Sequence, residues 1–155
     1  MSLEMLGYVL LILVVLGGAA VGLNEVFLKN DIANLERDLV AMRMNTKQRF
    51  QQQRNYNNIS NEIAIQGGLA PKSLIAGDNL RHTWDGDITL SSNSGRGSFL
   101  ITLLNIPQKV CAELGSFQSG EWLSINVNGS ATSGDDVAGI ISSCQESNTL
   151  VFEAR

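Results

Sequence analysis

The sequence predicts an α+β chain in which a long N-terminal helix packs on a small antiparallel β-sheet head with one disulfide. Three observations predict it. Residues 1–54 contain no proline, and Met5 to Leu23 contain no charged residue. Four short segments, β-branched or alternating and bounded by Gly, Ser and Asn, follow in the second half of the chain. Both cysteines, Cys111 and Cys144, lie among those segments. A run as apolar as 5–23 spans a bilayer or is buried among copies of itself. A continuous helix over 1–54 would be ~80 Å long, too long for the interior of a domain built from the remainder. The expected organisation is therefore a hydrophobic transmembrane or filament-core half of the helix (1–23), an amphipathic half (24–54) and a globular head (55–155). The head divides into a loop region, 55–83, and a β-sheet and disulfide-bounded region, 84–155.

Ser2 suits a helix cap, and Glu4 in the first turn suits the positive end of the helix dipole. A carboxylate beside so long an apolar run is costly in hydrocarbon without a partner, and a free α-amino group, its own or another copy's, is the natural one. Gly17, Gly18 and Gly22 interrupt the run. They either allow close helix packing or mark a stretch, between Leu16 and Leu23, where the helix loosens and melts. From Asn24 the pattern changes: Ile32, Leu35, Leu39 and Met42 recur at spacings of three and four, an apolar stripe on an otherwise charged helix. This half is expected to pack on the head's sheet. The pattern fades in Gln51–Asn58. Ile59, Ile63 and Ile65 are expected anchors of the loop region, in a short helical turn, and Gly67-Gly68 and Gly77-Asp78-Asn79 are turn signals. Strands are predicted at Asp87–Ser91, Ser98–Leu104, Glu121–Val127 and Asn148–Glu153. Trp84-Asp85-Gly86 and Asn93–Gly97 read as turns. A short helix Pro107–Leu114, with Pro107 at its first position, places Cys111 on an inner face. A second, Asp135–Ser143, is capped by Ser133 or Gly134 and ends at Cys144.

Charge narrows the functions. The head holds ten acidic and five basic residues, which argues against nucleic-acid binding there. The basic cluster Arg43, Lys47, Arg49 and Arg54 reads as a solvated stalk face. A cysteine pair behind a membrane-directed front end implies an oxidising compartment and one disulfide. His82 is the sole histidine; with Asp85 and Asp87 it matches no metal-ligand spacing. Asp135-Asp136 resembles part of a calcium loop but reads better as helix N-terminal acids. Asn58-Ile59-Ser60 and Asn128-Gly129-Ser130 match the glycosylation sequon, a three-residue pattern that carries little weight alone. No serine has an activating context. No catalytic, cofactor-binding or metal residues are therefore assigned, and no cofactor is expected. Nothing basic precedes Met5 and the apolar run passes directly into a helical pattern, which argues against a secretory signal peptide.

A chain starting with Met, an acid within its first residues, about twenty apolar residues, an amphipathic helix and a Cys-paired acidic head resembles the type IV pilins. Met at the start resembles the type IVb branch. The head is similar to the pilins of thin conjugative-plasmid pili through Gly67-Gly68-Leu69, Trp84-Asp85-Gly86 and Ile106-Pro107 followed by Val110-Cys111. The chain departs from the family in placing its acid at Glu4 and not at the fifth position. Either the front is one residue shorter or Met1 is not the processed end. The resemblance implies a major pilin that polymerises through its N-terminal helix into a type IVb pilus for cell–cell contact, attachment or conjugation. It implies that Glu4 pairs with the Met1 amine of a neighbouring copy, that Met1 is N-methylated, and that a Cys111–Cys144 bridge bounds the C-terminal region. The implied partners are other copies of the chain, the inner membrane before assembly, the pilus assembly machinery with its prepilin peptidase, and a tip adhesin or recipient-cell surface. The implied location is the bacterial cell surface. Two other readings are a type II secretion pseudopilin and a single-span anchored periplasmic binding module; an anchored enzyme is the weakest.

Overall fold

The computed structural model describes residues 26–155 in full and, before them, only the helical run of the first element from Leu3. Met1, Glu4, Gly17, Gly18 and Gly22, to which assembly and helix melting were assigned, lie outside the residues described in full, as does the apolar run 5–23. Among the described residues no helix is long and apolar enough to cross a membrane. The chain divides into two compact units, Met1–Asn34 and Leu35–Arg155.

In the first unit, α1 (Leu3–Arg49) begins, and Val26 and Phe27 are exposed. Its continuation, Leu35–Arg49, belongs to the second unit. There Leu35, Leu39 and Met42 of the predicted stripe are buried, because spacings of three and four keep them on one face. The helix ends at Arg49 and not at Arg54. Phe50 closes a turn by donating its N–H to Thr46 O at 3.0 Å, and Arg54 takes a positive φ of 66° that ends regular structure. Phe50 and Tyr56 then stack at 5.7 Å, and Tyr56 on Phe99 at 4.7 Å, so the chain folds back onto the sheet.

The loop region holds α2 (Asn61–Gln66), capped by Ser60, whose Oγ accepts the Ile63 N–H. Of the expected anchors Ile59 is buried, Ile65 half-buried and Ile63 exposed, because Ala64 between them takes the inner face of the turn, and Leu69 is buried after it. A 3-10 turn, Lys72–Leu74, leads to two strands too short for pattern reading, β1 (Ile75–Ala76) and β2 (Asn79–Arg81). The longer strands are β3 (Asp87–Asn93) and β4 (Ser98–Pro107), followed by α3 (Gln108–Leu114), β5 (Ser124–Val127), β6 (Ser130–Ala131), α4 (Val137–Ser143) and β7 (Ser147–Ala154). All pair antiparallel in one sheet of order β1-β2-β3-β4-β7-β5-β6.

Alternation buries Phe99, Ile101 and Leu103 of β4 against Leu150 and Phe152 of β7. β3, β4 and β7 run one to three residues past their expected ends, to Asn93, Pro107 and Ala154, and three other boundaries differ from the sequence reading. The strand expected from Glu121 starts at Ser124, because residues 115–123 form successive turns. Pro107 ends β4 and caps α3 instead of occupying its first turn, with an extended ψ of 157°. α4 starts at Val137, capped by Asp136, not at Asp135 under Ser133 or Gly134.

Candidate functional site

The disulfide-bounded segment is built from two short helices with complementary faces. In α3, Val110, Cys111 and Leu114 are all buried. In α4, the Asp136 carboxylate accepts the Gly139 N–H at 3.0 Å, and Ile140 is buried. A Cβ on Gly115 would crowd Ile140, so the helices meet at a residue with no side chain. Cys111 and Cys144 form a disulfide with Cα atoms 5.9 Å apart. It joins the inner side of α3 to the end of α4, with β5 and β6 between them in the chain. Asn148 completes the region as a buried amide: its Nδ2 donates to Ile106 O and Gln145 O, and its Oδ1 accepts from Gln145 N and Asn128 Nδ2. Held from beneath, α4 presents Val137 and Ile141 outward, 54% and 51% exposed and one helical turn apart.

The second group joins the helix to the sheet. Arg43 is not part of a solvated stalk face. It is buried, its guanidinium lies 4.6 Å over the Trp122 ring, and its Nη2 donates to Gln118 Oε1 at 3.1 Å. Trp122 stacks in turn on Phe152 at 5.0 Å. Arg49 Nη2 donates to Gly67 O at 3.2 Å. Two members of the basic cluster thus bind the head, a role hydrophobic periodicity does not register.

The third group is the turn between β2 and β3. His82 is buried; Nε2 lies 2.6 Å from Leu104 O, and Nδ1 accepts the Trp84 N–H at 3.1 Å. Burial pushes its pKa down, against the opposing influence of the Leu104 hydrogen bond. Asp85 and Asp87 turn instead to Arg81, at 3.1 and 3.4 Å. The three are therefore neighbours but no ligand set. Among the described residues no group of His, Cys, Asp and Glu is arranged to hold a metal ion.

Two carboxylates stand out electrostatically. Burial alone would raise the pKa of Glu153, but Ser98 Oγ at 2.6 Å, Asn93 Nδ2 at 3.0 Å, the Arg96 charge and Ser124 Oγ together hold it below the usual range. Glu36 is raised, by burial first and then by the like charge of Glu113. An open cleft is lined by Glu62, Ile65, Gln66 and Asp78, with the Gln66 amide donating to Glu62 Oε1 at 3.2 Å.

Residues 29–155 match the family described as PilS N terminal. The chain is similar to the crystal structure of a type IV b pilin from Salmonella typhi, at 21% identity and a TM-score of 0.58, over 77% of this chain and 98% of that one. It is also similar to TcpA, a type IV pilin from Vibrio cholerae El Tor biotype, at 14% identity and a TM-score of 0.56, over 81% and 99% respectively. Comparison with curated protein sequences finds no match.

Proposed function

Because this chain belongs to the PilS N-terminal family and has the type IV pilin fold, we propose that it is a major pilin that polymerises through its N-terminal helix into a type IVb pilus. The observation that carries the reading is α1 itself. One helix runs from Leu3 to Arg49; its last part is built into the core of the head, while its front, in sequence, is an uncharged apolar run. Such a run needs lipid or copies of itself around it. Before assembly it would sit in the inner membrane, and in the filament it would line a protein core.

Glu4 would pair with the Met1 amine of an adjacent copy, removing two unpaired charges from hydrocarbon and setting the vertical register. Gly17, Gly18 and Gly22 would let the helix loosen there, each weakening it by up to about 1 kcal/mol relative to Ala. Each contact is head-to-tail and does not close, so it propagates as an open helix. The prepilin peptidase and assembly machinery would act on the front end, and the outward face of the head would meet recipient cells or a tip adhesin. The role is structural, in cell–cell contact, attachment or conjugation, without catalysis.

Electron microscopy of sheared surface material from cells making wild type or Glu4→Ala tests this. Thin filaments in wild type that vanish in the variant are expected. Filaments persisting in the variant would remove the pairing mechanism and leave the pilin. Wild-type protein confined to the membrane would overturn the pilin reading in favour of the anchored binding module.

A further inference from the structure

We propose that the Trp84–Gly86 turn is an acid-sensitive latch, held on β4 by neutral His82 and released when the ring takes up a second proton. The geometry leaves one workable tautomer. Leu104 O is an acceptor, so the nitrogen 2.6 Å from it, Nε2, carries the hydrogen; Trp84 N–H is a donor, so Nδ1 must be bare. Imidazolium carries hydrogen on both nitrogens. Its Nδ1–H would then confront the Trp84 N–H, two donors facing each other in a site where His82 is buried.

Nothing around the ring relieves that conflict. Arg81 of β2 opposes the added charge. Asp85 of the turn and Asp87 of β3 favour it, but both already pair with Arg81. On β4 the ring meets Leu104, which carries no charge.

The latch reaches further than its own turn. His82 N donates to Gly86 O, and Asp85 N to His82 O, so the ring sits inside a closed loop. β4 is irregular here, its pairing with β7 shifting register between Leu103 and Ile106, and Asn105 takes a φ of 55°. Asn105 donates to Trp84 O at 3.5 Å and accepts Ser147 Oγ at 2.8 Å, which couples the turn to β7. Half-buried Trp84 and 40%-exposed Leu104 lie at this surface. Release would therefore change what the head presents in acidic surroundings. The latch is a property of the single chain and is the same whether or not the chain polymerises.

The test is NMR on the full chain in detergent micelles, reading the Trp84 amide protection factor and the His82 ring ¹⁵N shifts between about pH 7.5 and pH 5. Expected are an Nε2–H tautomer at the upper pH and a roughly tenfold loss of Trp84 protection on acidification, with Ile101 in the sheet core unchanged. His82→Gln, which keeps a donor without a titrating ring, should hold Trp84 protection constant across the range. A protonated Nδ1 at the upper pH would overturn the latch, as would Trp84 protection independent of pH. So would an equal acid loss in His82→Gln. Should that variant not fold, the wild-type ring shifts and amide protection decide alone.

Discussion

At Gly86 there is no room for a side chain. A Cβ would overlap the Leu104 carbonyl oxygen and the His82 ring, and the carbonyl belongs to backbone that cannot swing away. Gly86→Ala should therefore cost about 2–3 kcal/mol, whereas Gly95→Ala, with nothing within 4 Å, should be close to neutral. Urea unfolding of the two variants compares them directly. Glu153 makes the complementary case for charge. Three side-chain donors and Arg96 converge on a carboxylate that is 2% exposed. Glu153→Gln turns one acceptor into a donor among donors, an expected loss of about 1–3 kcal/mol. A Glu153→Gln stability within error of wild type would show that this network holds nothing. Neither constraint was visible in the sequence: Gly86 read only as a turn, and Glu153 as the polar end of a strand. Likewise the spacing of His82, Asp85 and Asp87 matches no ligand motif, and what His82 does depends on Leu104, which lies far away in the chain and close only in the fold.

The elements that pattern reading located well are those whose period is long enough to count. The stripe Leu35, Leu39, Met42 is buried as expected, and the strands at Asp87, Ser98 and Asn148 appear within a few residues of their expected bounds. β1, β2 and β6 have two or three residues each, too few to show alternation, and they exist because a neighbouring strand completes them. Arg43 was misread because a charge next to a stripe normally faces water; here Trp122 supplies an aromatic face that receives it. Arg43→Lys loses the planar stack and should destabilise by about 1–2 kcal/mol, read as a lower midpoint in denaturant. The disulfide acts at the same scale. It closes a separation of 33 residues, for which the chain-entropy model gives about 4 kcal/mol. Cys111→Ala/Cys144→Ala should lose stability of that order, and α4 should be the first element to gain hydrogen exchange, since Ile140 is its sole buried helical residue. Uniform exchange throughout the sheet would argue that the bridge acts globally instead.

Across the whole molecule these groups combine into a stability curve with a definite shape. His82 has its pKa below the ordinary 6.5 because it is buried; its contribution is present above that value and is lost as pH falls from there toward the folded value. Glu36 has its pKa above 4.5, through burial and then Glu113. The folded state takes up that proton before the unfolded chain does, so stability returns as pH falls through the raised value. Glu153 lies below 4.5, its hydrogen bonds and Arg96 outweighing burial, so its contribution is lost only as pH drops below 4.5. Thermal melting of the full chain in detergent should therefore show a shallow decline under about pH 6.5, partial recovery approaching 4.5, and a steeper fall beneath it. Each limb has its own variant. His82→Gln should remove the first decline, Glu36→Gln should raise the melting temperature at neutral pH and abolish the recovery, and Glu153→Gln should flatten the acid fall. One curve shared by wild type and all three variants would mean that the pH response resides elsewhere. The three limbs order the events on acidification: the Trp84–Gly86 turn is released first, before the Glu153 network that ties β7 to β3, β4 and β5 gives way.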